Sequence, residues 1–197
     1  MTDTAMTDTA APLQLAVIIG STRENRFGPT VARWFTEQAR GYGEFGVDLI
    51  DLADADVPHR LGGEPTPGVA ALTPRIAAAD AFVVVTPEYN HSYPASLKAA
   101  IDWHYSQWQA KPVAFVSYGG MSGGLRAVEH LRQVFAELHA ATVRDSLSFH
   151  MAWEKFDADG QPHDATTANG AAKRMLDQLT WWARTLRAGR EHTPYTA

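Results

Sequence analysis

The strongest constraint on this chain is an alternation of two hydrophobic periods. Short aliphatic runs recur along it: Leu15-Ala16-Val17-Ile18-Ile19, Val47-Asp48-Leu49-Ile50, Ala81-Phe82-Val83-Val84-Val85, Pro112-Val113-Ala114-Phe115-Val116, and a more polar stretch from Thr142 to Phe149. A continuous apolar run leaves a strand no solvated face, so these runs belong to a parallel sheet covered on both sides. Val47/Leu49 and Leu147/Phe149 alternate with polar neighbours, as expected of the second and fifth strands at the sheet edges.

Helical spacing fills the intervals. Val31, Trp34 and Phe35 follow Pro29, which suits the first turn of a helix because its missing N–H would be unpaired there anyway. The same stripe recurs in Leu97, Ala100 and Ile101 after Pro94, in Val128, Leu131, Phe135 and Leu138, and from Met175 to Leu186. Leu72, Ile76 and Ala79 share a weaker stripe that Pro74 is expected to kink. Five strands alternating with five helices match a flavodoxin-like three-layer α/β/α sandwich. Its five-stranded parallel sheet would have the order 2-1-3-4-5, in preference to the six-stranded dinucleotide fold. Such a sheet takes its ligand outside the carboxyl ends of its strands, where the first and third diverge. The opening MTDTA motif is written twice, so residues 1–12 are expected to be a disordered tail and residues 13–190 one domain.

Composition removes several classes. With no cysteine, the chain has no disulfide framework, thiolate metal site or cysteine nucleophile. A formal charge of -5 leaves no electrostatic footprint for nucleic acid. The apolar runs are too short to span a bilayer and no leader-like segment stands at the start, so a soluble cytoplasmic protein without a membrane partner is expected. A hydrolase built on Glu88 with His91 or His104 lacks both a Gly-x-Ser-x-Gly elbow and a His-Glu-x-x-His pair.

Three loops carry the chemistry. After the first strand, Gly20-Ser21-Thr22-Arg23-Glu24-Asn25-Arg26-Phe27-Gly28 joins hydroxyls and arginines to a helix N-terminus, a natural anion site. It fits a single monoester phosphate, having neither a Walker ending nor the Gly-x-Gly-x-x-Gly turn; the alternative is an ordinary turn with two solvated arginines. After the third strand, Thr86-Pro87-Glu88-Tyr89-Asn90-His91-Ser92-Tyr93-Pro94 is stiff enough to hold a flat ring. Glu88 has no second carboxylate to pair with, so a structural anchor is favoured over an acid or base. After the fourth strand, Ser117-Tyr118-Gly119-Gly120-Met121-Ser122-Gly123-Gly124 lets backbone approach a ligand closely, or else serves as a flexible connector.

At these residues the chain resembles the NADPH-dependent FMN reductase family, the flavodoxin-like group of chromate, azo-dye and quinone reductases. The likeness runs through Gly20-Ser21-Thr22-Arg23, Ala79-Asp80, Thr86-Pro87-Glu88-Tyr89-Asn90, Pro94, Leu97-Lys98-Ala99-Ala100-Ile101-Asp102, Tyr118-Gly119-Gly120 and Ser122-Gly123-Gly124, over residues 13–150. The resemblance implies that Ser21, Thr22, Arg23, Arg26, Phe27 and Gly28 form the FMN phosphate site. It further implies that Pro87, Glu88, Tyr89 and Asn90 line the isoalloxazine and ribityl, and that Ser117, Tyr118, Gly119 and Gly120 contact the far edge of the ring. It implies bound FMN, NADPH or NADH as donor, a small acceptor such as a quinone, flavin, azo compound or metal oxyanion, and ping-pong exchange at one open face. No catalytic side chain and no metal is implied. The alternative is a non-turnover electron carrier or redox-sensing FMN protein. The family also implies a homodimer or homotetramer, for which Trp103 to Trp108 and Trp181-Trp182 are candidate interface or pocket-wall residues, with core packing expected for Trp103 and Trp182. The departure lies after His150, where Met151 to Phe156 either lids the acceptor pocket or caps the sheet edge.

Overall fold

The computed structural model describes residues 11–196, so the duplicated MTDTA segment lies outside the described residues. The elements run β1 (Leu13–Ile19), α1 (Gly28–Tyr42), β2 (Phe45–Asp51), α2 (Pro67–Ala78), β3 (Ala81–Pro87), α3 (Ala95–Asp102), β4 (Pro112–Gly119), α4 (Leu125–Glu137), β5 (Ala141–Thr142), β6 (Leu147–His150) and α5 (Ala165–His192). Every strand pairing is parallel, in the order β2-β1-β3-β4-β5, and β6 also pairs with β4. This is the flavodoxin-like winding expected from the sequence.

The two faces of the sheet divide the core by strand alternation. Val17, Val83, Ala114 and Val116 face one cluster with Trp34 and Phe35 of α1 and Met175 and Leu179 of α5. Ala16, Ile18, Phe82, Val84 and Phe115 face the other, with Leu72, Ile76, Leu97, Ile101, Leu131 and Phe135. Fully burying each large side chain contributes about 1.5–3 kcal/mol, which is why these continuous runs read as central strands. Helix ends follow local chemistry. Gly43 at φ +86 closes α1, Thr66 Oγ1 accepts from Val69 N–H at α2, and Asp164 Oδ1 accepts from Thr167 N–H at α5. The α2 helix continues through Pro74 and buries Val69, Leu72 and Ile76.

The fifth strand departs from expectation. The predicted single strand from Thr142 to Phe149 is two short pieces, β5 and β6, both beside β4. Side chains take over the backbone groups at the break: Arg132 donates to the carbonyls of Val143 and Arg144 at 2.7 and 3.1 Å, and Asp145 N–H donates to Gln178 Oε1. With its polar groups satisfied this way, the chain leaves the ladder without an unpaired backbone.

The tryptophans also sort differently. Trp34 and Trp108 are buried, whereas Trp182, expected in the core, is 38% exposed and meets Trp181 edge-on at 5.1 Å. Trp103 is half-buried and donates from Nε1 to the Pro58 carbonyl.

His104 is buried between α2 and α3, with Nδ1 2.8 Å from the Ala100 carbonyl and Nε2 3.1 Å from Thr73 Oγ1. Burial lowers its pKa and outweighs the opposing bond to Ala100, so the ring is held neutral with Nδ1 donating to the Ala100 carbonyl, while Nε2 lies beside a Thr73 hydroxyl that also contacts the Val69 carbonyl at 2.9 Å. A folded pKa below the unfolded value of about 6.5 makes this contribution complete above that pH and lost as pH falls through and below it. Denaturation midpoints at pH 7.5 and 5.5 should therefore fall further for the wild type than for His104→Gln; equal falls would count against the assignment.

Candidate active site

The carboxyl ends of β1, β3 and β4 meet at one edge, and register sets which residues face each other there. Ile19 lies opposite both Asp51 and Val85, and Pro87 lies opposite Tyr118. Gly20 N–H donates to the Val85 carbonyl, and Ser96 Oγ donates to the Gly20 carbonyl at 2.7 Å. A Cβ at Gly20 would sit 3.1 Å from Leu97 Cδ2, so the first loop leaves the sheet pressed against α3.

That loop is shaped by Arg26. Its guanidinium forks onto Asp51 at 2.5 and 2.7 Å, and Nη1 also donates to the Ser21 carbonyl at 2.8 Å. A bidentate pair of this kind fixes orientation as well as charge. Arg26, expected to grip a phosphate beside Arg23, thus has its fork engaged by Asp51 in the ligand-free fold. Arg23 is exposed and makes no side-chain hydrogen bond or ion pair among the described residues, and Thr22 is exposed beside it. Phe27 turns inward, edge-on to Phe156 at 5.5 Å. Among the described residues no side chain caps α1; Thr30 and Val31 N–H donate to the Phe27 carbonyl and Pro29 has no N–H, so Gly28 N–H is the first-turn amide left for an anion.

Beneath this N-terminus lies Tyr118. Its hydroxyl is buried near Ser21 with no hydrogen-bond partner of good geometry among the described residues, and a Cβ at Gly28 would come within 2.6 Å of it, so only glycine fits above. Burial, followed by the proximity of Tyr89, raises its pKa and keeps it a protonated donor. Ser21, also buried, holds its Oγ 2.5 Å from Tyr89 Oη and thereby ties the first loop to the second.

The second loop folds back as a tight turn, with mutual bonds between Tyr89 and Ser92 of 2.8 and 3.0 Å. Asn90 and His91 occupy its centre at φ +48 and +75, a conformation Asn and His tolerate better than branched residues. Glu88 accepts from Arg126 Nε at 2.6 Å and from Arg126 N–H at 3.3 Å. Burial pushes its pKa up, but hydrogen bonds from Arg126 and Ser122 outweigh this and leave it below the usual value. Glu88 is thus an ionised brace between the second loop and α4.

In the third loop, Ser117 Oγ donates to the Gly123 carbonyl at 2.8 Å, so its side chain clamps the loop instead of facing outward. Gly123 and Gly124 make the turn at φ +58 and +85, and a Cβ at Gly124 would lie 2.7 Å from Ser117 Cβ. Gly119 and Gly120 are half-buried at the strand tip. The sequence pattern did not single out Asp51, Arg126 or Ser96. Asp51 had one available signal, as the last residue of a strand neighbouring the first loop.

Comparison with known proteins decides the family. Residues 13–154 match the model of the family described as NADPH-dependent FMN reductase. This chain belongs to that family. An NAD(P)H-dependent FMN reductase of Schizosaccharomyces pombe is 40% identical over 124 residues, covering 56% of this chain and 60% of that one. The chain's match therefore spans less than two-thirds of that relative's length. An NADPH:quinone oxidoreductase of Arabidopsis thaliana is 32% identical, covering 83% of this chain and 89% of that one. Among solved structures, the flavoenzyme NAD(P)H:(acceptor) oxidoreductase FerB of Paracoccus denitrificans superposes with a TM-score of 0.67 at 28% identity, over 88% of this chain and 98% of that one. For an FMN reductase, the donors among the described residues suit a phosphate: a buried phenol without a hydrogen-bond partner, the Gly28 amide at the start of α1 and the exposed Arg23.

The Tyr118 hydroxyl makes no bond in the flavin-free fold, so Tyr118→Phe should leave the flavin-free melting temperature unchanged or slightly raised while weakening FMN roughly tenfold by fluorescence titration. A fall in both would mean a structural role. Glu88→Gln should lower melting temperature without moving the pH profile of turnover; a moved profile would reinstate Glu88 as an acid or base.

Proposed function

We propose that this FMN reductase family member holds one FMN at the three strand tips and passes electrons from NADPH or NADH to a quinone-type acceptor, donor and acceptor taking turns at one face. The convergence of the three tips carries this reading: Ser21 to Tyr89, Glu88 to Arg126 and Gly28 over Tyr118 join all three loops into one frame. Arg23, Ser21, the Tyr118 hydroxyl and the Gly28 amide would hold the phosphate, with Arg26 keeping the loop in shape from behind. Pro87 to Asn90 would frame ribityl and ring, and the amides of Gly119 and Gly120 would donate to the pyrimidine edge, where negative charge is stabilised by fixed donors. Bound FMN supplies hydride acceptance and release; the chain supplies position and electrostatics, with no side-chain acid or base.

Quinone as acceptor is supported by the Arabidopsis relative, named as an NADPH:quinone oxidoreductase. The same proposal includes a cytoplasmic setting, supported by the need for a reduced nicotinamide nucleotide. A homodimer or homotetramer is supported by the exposed Trp181-Trp182 pair. No helix among the described residues is long and apolar enough to cross a membrane.

The test is an anaerobic titration of FMN-loaded protein. NADPH or NADH should bleach the flavin bands and a quinone should restore them, with parallel double-reciprocal plots in steady state. Protein that stays yellow with both nucleotides would instead be an electron carrier. Arg23→Ala should weaken FMN about ten- to a hundredfold, since a charge-assisted contact is worth about 1.5–3 kcal/mol. Unchanged binding would remove Arg23 from the phosphate site.

A further inference from the structure

One aromatic side chain at the carboxyl edge, Trp153, is left largely in solvent. After β6, Met151 turns through the left-handed region at φ +48, and a single 3-10 turn follows at Ala152–Glu154. Ala152 and Phe156 point inward and are buried, Phe156 packing 4.9 Å from Phe149 and 6.1 Å from Trp34. The segment therefore does cap the sheet edge. Trp153 points the other way and is 57% exposed, with Cη2 3.6 Å from where Gly120 would carry a Cβ.

The indole does not stand on a loose loop. Met151 N–H donates to the Gly120 carbonyl at 3.0 Å, His150 Nδ1 lies 2.7 Å from the Met121 carbonyl, and Ser148 Oγ donates to the Gly123 carbonyl at 2.9 Å. These bonds fasten the turn to the glycine loop along its length. Met121, the residue after Gly120, is 91% exposed. An indole and a thioether are thus presented to solvent beside the strand tip that would frame the flavin.

We propose that Trp153, with Met121 beside it, is the specificity-determining platform on which the flat, uncharged ring of a quinone-type acceptor rests; this depends on the flavin-site reading above. A rigid indole face offers stacking and apolar contact to a planar ring and little to a compact ion. Glu154 and Lys155 follow Trp153 with opposite charges, leaving no net charge there to draw in a polyanionic nucleotide. The nucleotide's phosphates gain nothing there, so the platform is expected to weigh more on the oxidative half of the cycle than on the reductive half.

The experiment compares FMN-loaded wild type, Trp153→Ala and Trp153→Phe by stopped flow, measuring each half-reaction separately. For menadione, kcat/KM should fall roughly two- to tenfold in Trp153→Ala and recover in Trp153→Phe, the range expected for one aromatic contact. Flavin reduction by NADPH should change less than menadione turnover, and reoxidation by ferricyanide, which has no ring to stack, should be unchanged. In the oxidised protein, without turnover, menadione should quench indole emission less in Trp153→Phe than in wild type. Unchanged menadione kinetics would overturn the platform, as would equal losses with menadione, ferricyanide and NADPH. A wild type that fails to bind FMN would overturn the underlying reading of the site, and a wild type reduced by NADPH but indifferent to Trp153 would overturn this inference alone.

Discussion

A parallel sheet delivers the carboxyl end of every strand to one edge, and the central strands here are apolar along nearly their whole length. Chemistry is therefore confined to the loops that leave the strand tips. At β1, β3 and β4 the chain places hydroxyls and arginines, a proline-bounded turn, and a run of glycines. The register Pro87 opposite Tyr118, and Ile19 opposite both Asp51 and Val85, brings these within reach of one another. The loops are then fixed by ties between them. Arg26 bridges the first loop to β2, Ser21 meets Tyr89, and Glu88 meets Arg126.

These ties divide the charged residues into two kinds. Arg26 and Glu88 have partners matched in charge and geometry, so their work is to hold loop shape before any ligand arrives. Arg23 and Tyr118 have donors without acceptors. Leaving a buried phenol unpaired disfavours the flavin-free fold, typically by about 1–3 kcal/mol, and an arriving phosphate would supply the missing acceptor. The loops are thus shaped in advance, and under the proposed reading Arg23 and the Tyr118 hydroxyl are the groups left for an anion.

Much of this was legible in the residues. The runs around Val17, Val83 and Ala114 could only be covered strands, and the stripes after Pro29 and Pro94 could only be helices packed upon them. The glycines of the third loop and the Pro-Glu-Tyr-Asn turn marked the edge where a ligand belongs. The features that escaped depended on pairing across the sheet. Arg26 was indistinguishable from Arg23 until register placed Asp51 opposite Ile19, and no local pattern placed the Tyr118 side chain under Gly28. The break between β5 and β6 was hidden for a similar reason. Its backbone partners are side chains of Arg132 and Gln178, distant in sequence, and no local propensity announces them. Trp182 sat on an apolar stripe, yet that stripe reaches past the edge of the core.

The central claim is that one phosphate anchors the ligand at the tip of β1. Calorimetric titration of flavin-free protein with FMN and with riboflavin tests it most directly, because the two share ring and ribityl and differ only in that group. The account predicts binding at least a hundredfold weaker for riboflavin, with the FMN affinity alone declining as salt is raised. Equal affinities, insensitive to salt, would contradict it.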